Sequence, residues 1–162
     1  MSNNDGALAQ LESASKLAPA GFALAGHFTK MRPSFMLQCY PKDWTAFYAR
    51  NSLAMVDPAI AWGLANEGTF RWSDFDATSD PSGVASMAAD HGLTYGVISS
   101  IVSDGTRSMA SFARADKEFE QSEIEVITAK LAAIHAATLA AKDLASEEIG
   151  TLASMGITYT RM

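Results

Sequence analysis

The chain of 162 residues has only one cysteine, Cys39. A single cysteine excludes an intrachain disulfide, and with it the class of small secreted domains that depend on disulfides. No apolar run approaches the roughly 20 residues that a membrane-spanning helix needs, and the first residues lack the basic and apolar segments of a secretory signal. These absences predict a cytoplasmic protein without a membrane anchor.

Basic residues are also scarce. The 12 Lys and Arg residues are outnumbered by 18 Asp and Glu, which gives a net charge of −6. Contacts with phosphate groups need clustered Lys and Arg, so the composition argues against direct binding of nucleic acid. With 48% hydrophobic and 19% charged residues, the sequence is typical of one folded domain with its own core.

The motifs of common enzymes are missing as well. There is no G-x-S-x-G and no glycine-rich phosphate loop. His27, His91 and His135 are far apart, and none has the spacing of a metal site. Cys39 with a distant histidine is the one remaining nucleophile pair, and nothing in the local sequence supports it. We therefore expect no enzyme activity, no metal and no cofactor.

The apolar periodicity predicts both helices and strands. Helices are expected at 7–18, from Pro41 onward, from Pro58 to Gly63 or Gly68, from Pro81 to His91, and at 117–144. Strands are expected at 21–28, 34–40, 69–73, 93–102 and 107–114, with an Asp-Gly turn within 103–106. This order predicts a mixed α/β (α+β) fold, an α-β-α sandwich around a mainly antiparallel sheet.

The chain is rich in aromatic side chains over one stretch. Tyr40, Trp44 and Tyr48 recur every four residues, and Asp57 precedes Pro58. On a helix the three aromatic residues share one face, where each presents an apolar ring with a hydrogen-bonding group. Such a face suits the wall of a small-molecule pocket and equally suits an ordinary core, and Asp before Pro is also a good helix cap. Spacing alone leaves both interpretations open.

The pattern Y-P-x-x-W-x-x-x-Y, followed nine residues later by D-P, resembles the autoinducer-binding domain of LuxR-type quorum-sensing transcription regulators. Trp72, fifteen residues after Asp57, matches another aromatic position of that family, and G-L-T-Y-G at 92–96 matches its G-L-x-x-G segment. The resemblance covers residues 8–140. It implies a sandwich related in shape to GAF and PAS sensors, and a function in sensing a small-molecule autoinducer.

The same resemblance implies an N-acyl-homoserine lactone as the ligand. Its implied binding residues are Tyr40, Trp44, Tyr48, Asp57, Trp72 and Ser111. The Trp44 indole would donate to the lactone carbonyl, Asp57 would accept the amide N–H, and Tyr40 would donate to the amide carbonyl. Tyr48 and Trp72 would pack on the ring and tail, and Ser111 would add a hydroxyl near the amide.

Some positions depart from the family pattern. Ser100 stands where the family usually has Pro, and Val84 and Ala85 are small where some relatives carry Phe. We expect a roomier tail cavity, and hence a longer or bulkier acyl chain. Ser99 and Ser100 on its wall would suit an oxidised or aromatic acyl group.

The ligand-binding domain is expected over residues 1–145. Residues 146–162 would be a linker or the incomplete start of a helix-turn-helix domain, because 144–157 resemble the L-T-x-x-E-x-x-x-L opening of that module. DNA would then be bound only through a C-terminal domain outside this sequence, which is either a fragment of a full regulator or a naturally truncated relative. A homodimer is expected. The alternative function is a GAF/PAS-like interaction or dimerisation domain, in which the aromatic face is core and no lactone binds.

Overall fold

The computed structural model describes residues 3–139 and 146–162. Its strands are β1 (Gly21–Phe28), β2 (Phe35–Gln38), β3 (Gly68–Arg71), β4 (Tyr95–Ser103), β5 (Thr106–Arg114) and β6 (Thr158–Arg161). Its helices are α1 (Asn3–Leu17), α2 (Lys42–Arg50), α3 (Pro58–Ala65), α4 (Val84–Asp90), α5 (Gln121–Thr138) and α6 (Ser146–Ser154). The strands form one sheet in the order β3-β4-β5-β1-β2-β6, and every neighbouring pair is antiparallel.

The central strands carry apolar side chains on both faces of the sheet. Phe22 of β1 and Phe112 of β5 belong to the core formed with α1 and α5. Ala25 and Met109 belong to a second cluster with Ala59 of α3. Because alternate residues of a strand point to opposite faces, this sheet is covered by helices on both sides. The predicted α-β-α sandwich with an antiparallel sheet is confirmed.

The β4–β5 hairpin follows its turn chemistry. Asp104 and Gly105 connect the two strands with φ angles of 54° and 80°. Two consecutive residues with positive φ give the turn twist that suits a hairpin, and Asp-Gly tolerates it. The hairpin predicted from these two residues is present.

Two predicted helix starts were placed too early. The helix expected from Pro81 begins at Val84, because the Asp80 carboxylate caps it from further upstream by accepting the N–H groups of Val84 (2.9 Å) and Ala85 (3.0 Å). The second helix, α2, begins at Lys42. Pro41 occupies its N-cap position and not a position in its first turn.

The long helix predicted over 117–144 also begins later, at Gln121. Glu120 and Glu123 form a capping box there, in which each side chain accepts the other residue's backbone N–H. The structure gives α5 as Gln121–Thr138, and residues 140–145 lie outside the described part of the chain. Within the described residues, no helix is both long and apolar enough to cross a membrane.

Residues 146–162 are packed against the rest of the fold. β6 pairs with β2, and Leu152 and Ile157 are buried in the core shared by α1 and α5. The backbone N–H of Met162 donates to the carbonyl of Ser34. These contacts place 146–162 in the same core as the rest of the described residues; the sequence had predicted a linker or the start of a separate module there.

Candidate ligand-binding site

A cavity of about 1120 Å³ lies between the sheet and helices α2, α3 and α4. Its volume is slightly above the roughly 300–1000 Å³ that small-molecule pockets usually have. The residues expected at the site all line this one cavity, namely Tyr40, Trp44, Tyr48, Asp57, Trp72 and Ser111. The fold therefore brings together side chains that are spread over 72 positions of sequence, from 40 to 111.

Asp57 has two partners at the entrance of α3. One carboxylate oxygen accepts the backbone N–H of Ala59 (2.9 Å), and the other accepts the hydroxyl of Tyr48 (2.7 Å). Burial raises the pKa of Asp57, and these two hydrogen bonds partly oppose that rise. Asp57 is thus both the cap that the D-P pair predicts and the only charged side chain among the described residues lining the cavity.

The hydroxyl of Tyr48 donates its hydrogen bond to Asp57. Burial raises the pKa of Tyr48, and the neighbouring carboxylate raises it further, so the hydroxyl stays protonated and donates. The family resemblance implied only a packing role for Tyr48. Its contact with Asp57 depends on the angle between α2 and α3, which no local pattern encodes.

The hydroxyl of Tyr40 donates to the backbone carbonyl of Ser111, at 3.1 Å. Burial, followed by the charge of Asp57, raises the pKa of Tyr40 well above its usual value, so this phenol is also neutral. This hydrogen bond connects the segment that follows β2 to the centre of β5. It also places the Tyr40 hydroxyl beside the position where the resemblance puts the ligand amide.

Trp44 is buried at 4% exposure and is held between aromatic neighbours. Its ring meets Tyr48 edge-on at a centroid distance of 5.5 Å and lies 5.2 Å from the ring of His91. Its indole N–H donates to none of the described residues, although it belongs to a side chain that lines the cavity. An unpaired indole N–H is a donor available to a ligand.

Trp72 follows β3 in a short 3-10 turn, not in the strand predicted over 69–73. Its indole ring lies directly on Gly96 of β4, where an added Cβ would overlap the ring. This contact explains the second glycine of the G-L-x-x-G segment, since any side chain there would displace Trp72. The indole N–H of Trp72 is buried and has no partner among the described residues.

The small residues of α4 line the cavity as expected, and the two serines of β4 do not. Val84 and Ala85 both line it. Ser100 instead donates to the carbonyl of Gly63 (2.8 Å) and accepts from Arg107, so it fixes the end of α3. Ser99 alternates with Ser100 and faces the opposite side of the sheet. The expectation that these serines wall the tail cavity was wrong.

Sequence reasoning missed the methionines of the site. Met31, Met36, Met55, Met109 and Met162 all line the cavity. They come from four separate segments, so no local spacing joins them. The only available signal was the count of eight methionines in 162 residues. Elsewhere in the described part of the chain, no group of three or more His, Cys, Asp or Glu side chains could hold a metal ion.

Comparison with known proteins agrees with this geometry. The family model for the autoinducer binding domain matches residues 14–143. CepR2 of Burkholderia cenocepacia, an N-acylhomoserine lactone dependent LuxR family transcription factor, is similar over 79% of this chain and 78% of its own, with 21% identity and a TM-score of 0.58.

SdiA of Escherichia coli is similar over 96% of this chain and 72% of its own, with 18% identity and a TM-score of 0.68. SdiA in complex with octanoyl-rac-glycerol is similar over 96% and 70%, with 16% identity and a TM-score of 0.67. At these identities the likeness shows a shared fold. No curated protein matches the chain.

Proposed function

The chain belongs to the autoinducer binding domain family, and from that premise we propose that its cavity binds an N-acyl-homoserine lactone. The family is one of ligand-binding regulatory domains. One observation carries the proposal: a buried carboxylate, Asp57, and an unpaired indole N–H, from Trp44, line a single cavity that is otherwise mainly apolar. A lactone head group with an amide N–H and two carbonyls complements that pair, and its alkyl tail complements the rest.

The hydrogen-bonding capacity of Asp57 allows a further partner. Each carboxylate oxygen has two lone pairs, and each accepts one hydrogen bond within the protein. We therefore assign the ligand amide N–H to Asp57 and the lactone carbonyl to the indole of Trp44. The Tyr40 hydroxyl, which donates to the Ser111 carbonyl in this structure, would turn to the amide carbonyl of the ligand. Tyr48 would hold Asp57 in place, and Trp72 would pack on the lactone ring.

The contributions of the head group and the tail to the binding free energy can be compared from the size of each interaction. Each buried methylene contributes about 0.8 kcal/mol, while a neutral hydrogen bond contributes a net of about 1 kcal/mol. A tail of several carbons therefore supplies most of the affinity, and the polar groups select the head. Burial of the Asp57 carboxylate also costs free energy in the empty protein, and a further hydrogen bond from a ligand N–H would offset part of that cost.

The proposal is tested by calorimetric titration with acyl-homoserine lactones, using a matched pair of tryptophan variants. Trp44→Phe keeps a ring and removes the N–H, so we expect at least a tenfold loss of affinity. Trp62→Phe makes the same change at a tryptophan that packs on Phe70 and is not among the residues lining the cavity, and it should leave affinity unchanged. Equal effects of the two variants, or no binding by the unmodified protein after mass spectrometry of an organic extract shows it empty, would contradict the proposal.

A second ligand class is favoured by one comparison. SdiA, whose fold this chain shares, is known in complex with octanoyl-rac-glycerol. A glycerol hydroxyl can donate to a carboxylate as an amide N–H does, so an acylglycerol would also satisfy Asp57. Titration with lactones and acylglycerols of equal acyl length separates the two. The remaining alternative, an interaction domain without a ligand, requires that neither series binds.

We further propose that the domain works in the cytoplasm as a homodimer, without enzyme activity, and acts on DNA only through a C-terminal domain. The negative net charge supports the last point, since this chain offers few cations for phosphate groups. Light scattering with and without a lactone measures the oligomeric state. A monomer under both conditions at micromolar concentration would contradict the homodimer.

A further inference from the structure

We propose that the cavity selects acyl chains of about ten carbons or more, by running the tail along the sheet towards a rim of exposed methionines. This inference rests on the proposed function and adds to it the class of tail and the positions that set its length.

The floor of the cavity has a polar end and an apolar end. Ser111 of β5, whose carbonyl accepts from Tyr40, is paired with Ala23 of β1. From there the floor continues to the next inward pair, Ala25 and Met109, and then to Phe28 beside the β1–β2 connection. A ligand whose amide lies near Ser111 would therefore direct its tail along β1 and β5 towards Phe28.

The length of that floor sets a lower bound on the tail. Ser111 pairs with Ala23 and Arg107 pairs with Phe28, so four residues of β5 span the distance between them. At about 3.3 Å per residue this is roughly 13 Å. With C–C bonds near 1.5 Å and tetrahedral angles, an extended alkyl chain advances about 1.25 Å per carbon. A tail of about ten carbons is needed to cover the floor.

Small side chains leave this path open. Ala25 and Ala59 belong to one cluster and both line the cavity, as do Ala85 and Ala88 of α4, where larger side chains would reduce the cavity volume. Beyond the polar end the lining is apolar, with Phe28, Met36 and Met109 among its members. The cavity volume of about 1120 Å³ is well above what a short tail would fill.

The far end of the cavity is open and bordered by methionines. Met31 is 75% exposed and Met162 is 51% exposed, and both line the cavity. Met31 lies in the β1–β2 connection, and the backbone N–H of Met162 donates to the carbonyl of Ser34 in the same connection. Exposed apolar side chains that also line a cavity mark where it meets the surface. Methionine is flexible and adapts to irregular apolar partners. The end of a long tail would pack against these flexible methionine side chains. The contact would bury apolar surface of both the tail and the methionines.

The test is a series of homoserine lactones with saturated acyl chains of four to fourteen carbons, titrated by calorimetry into the ligand-free protein. Each added carbon should tighten binding about fourfold until the floor is covered, which we expect at ten carbons or beyond. A parallel series of monoacylglycerols changes the head and keeps the tail. Because the floor and not the head sets the length, both series should level off at the same chain length.

A variant in the middle of the floor gives an independent test. Ala25→Leu narrows the path two residues beyond Ala23 and should move the preferred tail to a shorter length by several carbons. Ala136→Leu makes the same substitution on the exposed side of α5 and should leave the profile unchanged. If Ala25→Leu does not fold, the series with the unmodified protein still decides.

A best tail of eight carbons or fewer in the unmodified protein would overturn this inference and leave the proposed function standing. The inference on the tail also fails if Ala25→Leu weakens the binding of all tail lengths equally. If lactones of every length fail to bind while long acylglycerols bind, the lactone assignment falls and the inference on the tail survives. If neither series binds at any length, both fall.

Discussion

Asp57 combines three properties that seldom occur in one side chain. It caps α3 through the N–H of Ala59, it accepts from Tyr48, and it is a carboxylate buried in a mainly apolar cavity. The cap favours folding, whereas burial of the charge opposes it, as the raised pKa of Asp57 indicates. This cost is one reason why we propose a role for Asp57 in ligand binding.

We therefore expect Asp57→Asn to weaken ligand binding without lowering the stability of the empty protein. A raised pKa means that the free energy of unfolding falls as pH rises from the unfolded value of 3.8 through the higher folded value, so the cost of the charge is complete only above the folded pKa. Asparagine is uncharged and still caps a helix. Thermal unfolding of the empty variant at neutral pH should give an equal or higher Tm, while the stabilisation by a lactone becomes much smaller.

Asp57→Ala is the matched control for that experiment. It removes the charge and the cap together, so it should be less stable than Asp57→Asn by about 1 kcal/mol. If the asparagine and alanine variants lose the same stability, the cap and the charge have not been separated. If Asp57→Asn retains full stabilisation by the lactone, Asp57 is not the acceptor.

Gly96 gives a second prediction at the scale of one residue. A Cβ at this position would overlap the indole of Trp72, so Gly96→Ala should displace the ring and destabilise the protein by about 1–3 kcal/mol. In the background of Trp72→Ala, the same substitution should cost much less. Urea unfolding of the two single variants and the double variant measures this coupling, and additive losses would show that the ring contact is not its cause.

Three elements meet at a buried polar network on the face of the sheet opposite the cavity. The rings of His27 in β1 and His135 in α5 lie 4.3 Å apart. Each His27 nitrogen is 2.8 Å from a threonine hydroxyl, one of Thr106 and the other of Thr138. His135 is 2.6 Å from the hydroxyl of Ser108. The hydrogen-bond partners of both rings are uncharged, so neither ring is matched by a carboxylate.

This network predicts a loss of stability in mild acid. Burial, followed by the proximity of His135, lowers the pKa of His27, so the folded state binds the proton more weakly than the unfolded state. The stability from His27 is complete above its unfolded pKa of 6.5 and is lost as pH falls below it towards the lower folded value. Chemical unfolding between pH 7.5 and 5 should show this decline.

The control variants compare His27→Asn with His91→Asn. Asparagine suits the positive φ of 52° at position 27, and it does not titrate, so the pH dependence should become shallower. His91 lies outside the network, and its substitution should leave the decline in place. An unchanged slope in His27→Asn would contradict the assignment.

The C-terminal elements α6 and β6 are tested by one core residue. Leu152 is fully buried in the core shared by α1 and α5, so Leu152→Ala should cost about 2–5 kcal/mol. Thr151→Ala, at the exposed neighbouring position, is the control and should change stability by less than about 0.5 kcal/mol. A neutral Leu152→Ala would mean that 146–162 behave as a linker after all.

The elements that sequence predicts well are those with local chemical signals. The β4–β5 hairpin follows from Asp104-Gly105, and α3 follows from Asp57-Pro58. The strand β6 was missed because its four residues, T-Y-T-R, are at the lower limit of length for a strand signal. Its place is decided by pairing with β2, more than a hundred positions earlier in the chain.

At the scale of the whole molecule, the two faces of the sheet have different contents. One face is a filled core with α1, α5 and α6, while the other encloses the cavity. The first face stabilises the fold without a ligand, and the second gains buried apolar area only when it is occupied. Anything that binds the folded cavity and not the unfolded chain must raise stability by mass action.

The six residues proposed for the site come from the family resemblance, and the structure places all of them on the lining of one cavity. The hydrogen bonds between them were not predictable. Tyr48 to Asp57 and Tyr40 to Ser111 depend on how α2 is oriented on the sheet. The methionine border depends on segments as distant as Met31 and Met162. The resemblance therefore gave the candidate residues, and tertiary packing decides which hydrogen bonds they form.

The most direct test of the central claim compares two ligands that differ by one hydrogen-bond donor. A long-chain homoserine lactone and its N-methyl amide are titrated by calorimetry into the unmodified protein and into Asp57→Asn. If Asp57 accepts the amide N–H, N-methylation should weaken binding at least tenfold in the unmodified protein and much less in the variant, since the buried acceptor it depends on has lost its charge. Equal losses in both proteins would contradict the claim that Asp57 recognises the head group of the ligand.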